Sequence, residues 1–105
     1  MSLADKKCVP CEGGTLPLRE DKAKKLLAQV QGWTLTGGHV HREFKFKNFP
    51  DAIAFVNKVA ALAEEEGHHP DITIRYSRVS LELWTHAING LSENDFILAA
   101  KINRL

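Results

Sequence analysis

Hydrophobic and polar positions mark out the elements one after another along the chain. From about Arg19 to Gln31 the apolar residues are Ala23, Leu26, Leu27 and Val30. That i, i+3, i+4, i+7 spacing predicts an amphipathic helix, and Gly32 stops it. Trp33 to Thr36 reads as a short strand, and Gly37-Gly38 is a hairpin signal. From Val40 to Lys47 the residues alternate: Val40, Phe44 and Phe46 face one way, and His41, Glu43, Lys45 and Lys47 face the other. Arg42 is the exception, a charge on the apolar face. Pro50-Asp51 opens a second helix that runs to about Glu66, with Gly67 as terminator. Its apolar positions are Ile53, Val56, Ala60 and Ala63, joined by Ala52, Phe55, Val59 and Leu62. That stripe is wider than one packed face needs, so its spare strip is expected to be a subunit contact. Ile72, Ile74 and Tyr76 alternate with polar residues, as do Val79, Leu81 and Leu83, which predicts two strands with a tight connection near Ser77-Arg78. Ser92 to Leu105 is a third helix, with Ser92 as N-cap and Asp95 completing the capping pattern.

The predicted order is α-β-β-α-β-β-α. Two hairpins joined by a helix imply an α+β fold: a four-stranded antiparallel sheet with three helices on one face. Residues 1–17 hold Pro10, Pro17, Gly13-Gly14 and both cysteines, and read as an irregular N-terminal arm. Residues 18–105 are expected to form a single domain, since domains cluster at roughly 100–150 residues. A chain of 105 residues excludes a barrel of βα units and a two-domain dinucleotide enzyme. A chain of this size buries about 60–65% of its unfolded surface, enough for one core and a shallow site.

Charge removes further classes. Lys plus Arg is 14 and Asp plus Glu is 13, a net +1, so nothing global draws the chain to nucleic acid or membrane. No apolar run approaches the ~18–20 residues of a membrane span, and Met1 to Lys7 lacks a secretory apolar core. Two cysteines are too few for a disulfide framework, and a cytoplasmic, reducing setting is expected. There is no Walker loop, GxGxxG or GxSxG. The unusual feature is five histidines, two of them adjacent.

A turn at Ser77-Arg78 would set Tyr76 opposite Val79, Ile74 opposite Leu81 and Ile72 opposite Leu83, with the apolar sets on one face. Carried outward, Pro70 meets Thr85 and His69 meets His86, roughly 5 Å apart in a ladder. His68, His69 and His86 should therefore converge at one edge of the sheet. The helix before them ends in Glu64-Glu65-Glu66, although carboxylates there oppose the macrodipole by about 0.3–1 kcal/mol each. Those charges and the dipole favour a protonated imidazole at His68. Imidazole titrates near ~6.5, so such a cluster suits proton transfer to and from a substrate. Two other readings stay open: a helix cap with a solvated partner, and a zinc site, although adjacent histidines rarely aim at one ion.

Glu64-x-x-x-His68-His69-Pro70, then Tyr76, Thr85-His86, Leu91-Ser92-Glu93 and Asp95 resemble the signature of the pterin-4a-carbinolamine dehydratases. Gly32-Trp33 and Phe44-Lys45-Phe46-Lys47-Asn48-Phe49 resemble that family's upstream segments, and the likeness runs from about Leu16 to Leu105. The resemblance implies removal of water from a 4a-hydroxytetrahydropterin, giving quinonoid dihydropterin. It would thereby recycle tetrahydrobiopterin for aromatic amino acid hydroxylases, with no cofactor and no metal. It implies His68 and His86 as acid and base, His69 as a pterin-holding residue, and Glu64 as the group that orients or charges His68. The pterin contacts would fall on Gly67, His68, His69, Trp84, Thr85, His86 and Ala87. Many relatives carry Asp at the position of Gly67 and a small polar residue at that of Trp84. Loss of the carboxylate could weaken pterin contacts or be offset by Glu66, and Trp84 could narrow the pocket or stack on the ring. The resemblance also implies a homodimer or homotetramer, and for some animal members a second role as dimerisation cofactor of a homeodomain transcription factor. A hydroxylase or a transcription factor is thus a candidate partner, with no direct nucleic-acid contact. A non-enzymatic interaction module of the same fold is the competing reading.

Other residues carry bland readings. Cys8-x-x-Cys11 resembles half a zinc knuckle or a redox pair, but only His39 and His41 could complete it, at the wrong spacing. His39 and His41 are expected on a solvated strand face. Trp33 reads as core or a pocket wall. Arg75 and Arg78 beside Lys45 and Lys47 suggest a basic patch without a nucleic-acid motif.

Overall fold

The computed structural model describes residues 2–9 and 16–105. Its helices are α1 (Glu20–Leu27), α2 (Phe49–Glu66) and α3 (Glu93–Ile102). Its strands are β1 (Thr34–Thr36), β2 (His39–Lys45), β3 (Asp71–Arg75) and β4 (Arg78–Leu83). The order α-β-β-α-β-β-α and the four-stranded antiparallel sheet are as the pattern predicts, with strand order β1-β2-β4-β3.

Alternation decides which face each strand buries. Val40 of β2 and Val79, Leu81 and Leu83 of β4 are fully buried beneath Ala52 and Val59 of α2 and Phe96, Ile97, Leu98 and Ile102 of α3. The opposite face carries His41, Glu43, Ser80, Glu82, Asp71, Thr73 and Arg75. Arg42, the charge on the apolar side, finds its partners at the rim. Its guanidinium donates to the Gln31 carbonyl at 3.0 Å and to Asn103 Oδ1 at 2.7 Å, and it lies over the Phe44 ring at 4.4 Å.

Helix α1 is shorter than its periodicity suggests, because the chain leaves the helix after Leu27 and turns through to Gly32 at φ 86°. Asn48 caps α2, its Oδ1 accepting from the Asp51 N–H at 2.8 Å, and Gly67 ends it in the left-handed conformation at φ 66°. Within the span read as an irregular arm, Leu3–Asp5 forms one 3-10 turn whose Leu3 joins the core.

The second hairpin differs from its expected register. The turn residues are Tyr76-Ser77, with Tyr76 at φ 53°, so Arg75 pairs with Arg78, Ile74 with Val79 and Ile72 with Leu81. The slip is two residues in pairing. An even slip keeps every side chain on its face, so alternation alone cannot detect it. Continued outward, this register sets His69 opposite Trp84 instead of His86.

The wide stripe of α2 divides. Ala52, Val59 and Ala63 are buried, and Phe55 packs on Phe44 and Phe46 at centroid distances of 4.7 and 5.2 Å. Of the large exposed apolar side chains, Phe49, Ile72, Ile74 and Tyr76 cluster at the sheet's β3 edge and the start of α2, while Val9, Leu16 and Leu105 lie in the arm, before α1 and at the end of the chain. No helix among the described residues is long and apolar enough to cross a membrane.

Candidate functional site

A cleft of about 340 Å³ opens where α2, β4 and α3 end or begin. Its lining includes Gly67, His68, His69, Trp84, Thr85, His86 and Ala87, with Val9 and Asn94 added from the arm and α3. This volume lies at the low end of small-molecule sites. A larger cavity of about 720 Å³ lies between α1 and the β1–β2 hairpin. Its ionisable side chains are Glu20 and Lys24, an exposed pair at 3.1 Å on the rim of α1, and its lining gathers no histidine and no buried carboxylate. The histidine cleft is therefore the candidate site.

Gly67 matters first because of its backbone. Its positive φ turns the chain out of α2, so His68 and His69 leave in different directions. His68 goes inward: its side chain is 11% exposed, and Nε2 lies 2.6 Å from Oδ1 of Asp95, which is fully buried. His69 goes outward and meets Glu64 at 2.5 Å, both side chains exposed. The carboxylate that meets His68 is thus Asp95, while Glu64 holds His69. In a continuing helix, Glu64 and His68 would be i, i+4 neighbours. The helix ends at Glu66, two residues short of that.

Asp95 ties the two sides of the cleft together. Its Oδ2 accepts from Thr85 Oγ1 at 2.9 Å and from the Ser92 N–H at 3.0 Å, completing the cap of α3. Thr85 Oγ1 also lies 2.7 Å from Ser92 Oγ. With its one proton given to Asp95, Thr85 accepts there. Thr85 in turn bridges to Gly90 by paired backbone bonds of 2.8 and 3.3 Å, closing a small loop that carries His86 and Ala87. Both residues are exposed at the mouth of the cleft. One buried carboxylate thereby fixes His68 from α2 and the root of the His86 loop from β4.

Trp84 is half-buried. Its indole N–H donates to Asp71 Oδ2 at 3.0 Å, and its ring contacts His39 at 4.7 Å and His86 at 4.0 Å between centroids. His39 also pairs with Glu82 at 3.2 Å. His39, read as surface, therefore lies one ring away from the site. Trp33 is buried in the core and donates to Asn103, outside the cleft.

The arm supplies another wall. Asn94 Oδ1 accepts from the Val9 N–H at 3.0 Å, and Asn94 Nδ2 donates to the Val9 carbonyl at 2.5 Å. The Cys8 N–H donates to the buried Glu66 carboxylate at 2.9 Å, and Lys101 lies 3.5 Å from it. That N–H, helped by Lys101, holds the Glu66 carboxyl below the usual range against the opposing effect of burial. Burial, then Glu66, pushes the Cys8 thiol up to about 12, so it stays protonated at neutral pH. Cys11 lies outside the described residues. Among the described residues no group of His, Cys, Asp or Glu side chains is arranged to hold a metal ion.

Spacing alone gave Asp95 only a capping role. Its signal was present: α3 is buried from Asn94 through Ala99, and a carboxylate inside so apolar a run must have partners. Asn94, Asp71 and Val9 left no such mark.

Fold and cleft together define a small α+β protein that gathers three imidazoles around one cleft, with a buried carboxylate behind His68. The chain belongs to the pterin 4 alpha carbinolamine dehydratase family, whose model matches residues 16–105. A relative from Rickettsia bellii (strain OSU 85-389), named provisionally as a pterin-4-alpha-carbinolamine dehydratase, is 53% identical over 106 residues, spanning 99% of this chain and 94% of the relative. One from Halorhodospira halophila, named the same way, is 50% identical over 107 residues, spanning 100% and 98%. Among solved structures, a transcriptional coactivator/pterin dehydratase from Brucella melitensis superposes with a TM-score of 0.79 at 36% identity, over 84% of this chain and 96% of that one. A pterin dehydratase-like protein described as a RuBisCO assembly factor in the alpha-carboxysome has a TM-score of 0.61 at 26% identity, over 70% and 88%.

Proposed function

We propose that this protein is a 4a-hydroxytetrahydrobiopterin dehydratase. The carrying observation is the cleft in which Asp95 fixes both His68 and the loop of His86. The reaction needs a proton delivered to the 4a-hydroxyl and another removed from N5. The C4a–O bond breaks, water leaves, and a C4a=N5 double bond remains as quinonoid dihydropterin. His68 and His86 are assigned these two transfers. They end with their protonation exchanged and reset through solvent. His68 has Nε2 committed to Asp95, which fixes its ring and leaves Nδ1 for exchange. His69, held by Glu64, contacts the pterin together with Gly67, Trp84, Thr85 and Ala87. Proton transfer by positioned side chains contributes about 10²–10⁴-fold and in itself calls for neither a cofactor nor a metal. The product would return to tetrahydrobiopterin for aromatic amino acid hydroxylases in the cytoplasm.

The test follows carbinolamine breakdown with purified protein. The wild type should exceed the spontaneous rate, and His68→Ala and His86→Ala should each lose most of the difference. A wild type no faster than buffer would defeat the enzymatic reading. Full activity after chelation is expected, and loss restored by zinc would revive the metal reading.

A second reading is a binding module of the same fold. It draws support from the exposed apolar cluster of Phe49, Ile72, Ile74 and Tyr76, and from the coactivator and assembly-factor names of the two structural neighbours. That cluster also fits a homodimer or homotetramer. Ile74→Lys should lower the sedimenting mass. Phe55 is a poorer probe, because it is packed against Phe44 and Phe46. Retained mass in Ile74→Lys would remove this surface from the assembly.

A further inference from the structure

The open face of the sheet reaches into the cleft through stacked rings. The β2–β4 register pairs Val40 with Leu83, and one residue further it sets His39 opposite Trp84. Their rings stack at 4.7 Å with planes 12° apart. The same indole meets the His86 ring at 4.0 Å with planes 47° apart. Two carboxylates of the open face anchor the assembly. Asp71 accepts the indole N–H at 3.0 Å, and Glu82 lies 3.2 Å from His39 Nδ1. Asp71 and Glu82 are themselves a cross-strand pair of β3 and β4. His86 sits in an exposed 3-10 turn, His86–Ile88, and its ring has no hydrogen-bond partner among the described residues to orient it. The indole is the rigid body against which that ring rests.

We propose that Trp84 is a positioning residue for His86, and that Asp71 and His39 act through it from the open sheet face. The physical argument is one of freedom. An exposed imidazole on a short loop turns about both side-chain torsions, and proton transfer needs its nitrogen within hydrogen-bond reach of the substrate. Contact with an aromatic face removes part of that freedom, and aromatic pairs prefer offset or tilted geometries of this kind. The indole is itself fixed on two sides, by its N–H bond and by the His39 ring. Loss of either support loosens Trp84, and the looseness passes to His86. The proposal rests on the dehydratase reading for its kinetic consequence, but its geometric content does not.

The experiment therefore has two arms on the intact chain. In proton NMR, the His86 ring protons should carry an upfield shift from the indole ring current. That shift should vanish in Trp84→Leu, survive in Trp84→Phe at reduced size, and shrink in Asp71→Ala and His39→Ala, of which Asp71→Ala removes the acceptor of the indole N–H. In carbinolamine turnover, Trp84→Leu should lower kcat about tenfold, since misplacement of a reacting group can cost up to about 10²-fold, and should also raise KM through its lost pterin contact. Trp84→Phe should recover part of the loss in kcat. Asp71→Ala and His39→Ala, outside the cleft, should each lower kcat by about threefold with KM changed less than kcat and thermal unfolding little changed. If Trp84→Leu fails to fold, the surface variants Asp71→Ala and His39→Ala decide. An unaltered His86 signal in both would overturn the proposal, as would full kcat in Trp84→Leu. A wild type without turnover would defeat the dehydratase reading alone, and the NMR arm would still decide the positioning.

Discussion

His68 and His69 are neighbours in the chain and both meet a carboxylate, yet the two pairs differ in kind. His68 meets a carboxylate removed from water, whose other oxygen already serves Thr85 and Ser92. His69 meets Glu64 with side-chain exposures of 61% and 78%. A buried, fully hydrogen-bonded carboxylate is costly to remove, because every donor around it loses its acceptor. An exposed pair is worth little, because water and salt replace each partner readily. Helix α2 repeats the contrast in its own last turn, where Glu64 is solvated and Glu66 is buried under the arm. Position within one turn, not residue type, decides which charges organise the site.

The largest break in that contrast comes at Asp95. Asp95→Ala should lower unfolding free energy by about 2–4 kcal/mol in urea titration, since several buried donors lose one acceptor. Asp95→Asn should retain the fold and lower turnover about 10²-fold through a misheld His68. An Asp95→Ala protein as stable as Glu64→Ala would erase the distinction.

The next effect separates the histidines themselves. His68→Ala should reduce kcat by about 10²-fold or more. His69→Ala should chiefly raise KM, by about fivefold, the worth of one ordinary hydrogen bond. Steady-state kinetics of the two variants would reveal a reversed assignment as a reversed split.

Glu66 gives a smaller, pH-dependent effect. Its folded carboxyl lies below the reference 4.5, so its stabilisation is complete above that value and is lost as pH falls through the folded one. Urea titrations of the wild type and Glu66→Gln should differ most at neutral pH and converge in acid. A constant difference across pH would mean that the carboxylate's charge contributes nothing.

Two smaller effects complete the series. Glu64→Gln should change stability by no more than about 0.5 kcal/mol, and by less in high salt. Cys8, with its thiol pushed up to about 12 by burial, should alkylate slowly at pH 8 in a Cys11→Ser background and rapidly in urea. Fast reaction in the folded protein would show that the arm does not hold Cys8 under Glu66.

Much of this protein was legible in order and in face. The hydrophobic periods placed each helix and strand, Gly67 ended α2, and the gathering of His68, His69 and His86 followed from a hairpin. That inference survived a register slipped by two residues, because the hairpin's ends stay close whichever neighbours pair. The slip itself was invisible to alternation for the reason given by parity.

Local pattern determined what each segment is, because helix and strand periods and turn residues act over a few positions. Only the tertiary structure decided which carboxylate serves which histidine. Asp95 lies 27 residues beyond His68, and no period links them. Glu64 is nearer in the chain, but the backbone turns away at Gly67 before the two can meet. The place of His39 was decided in the same way, by a cross-strand neighbour far along the sequence. Side-chain partners are set by distance in space and by the need to satisfy buried polar groups, and neither is written at a fixed spacing in the chain.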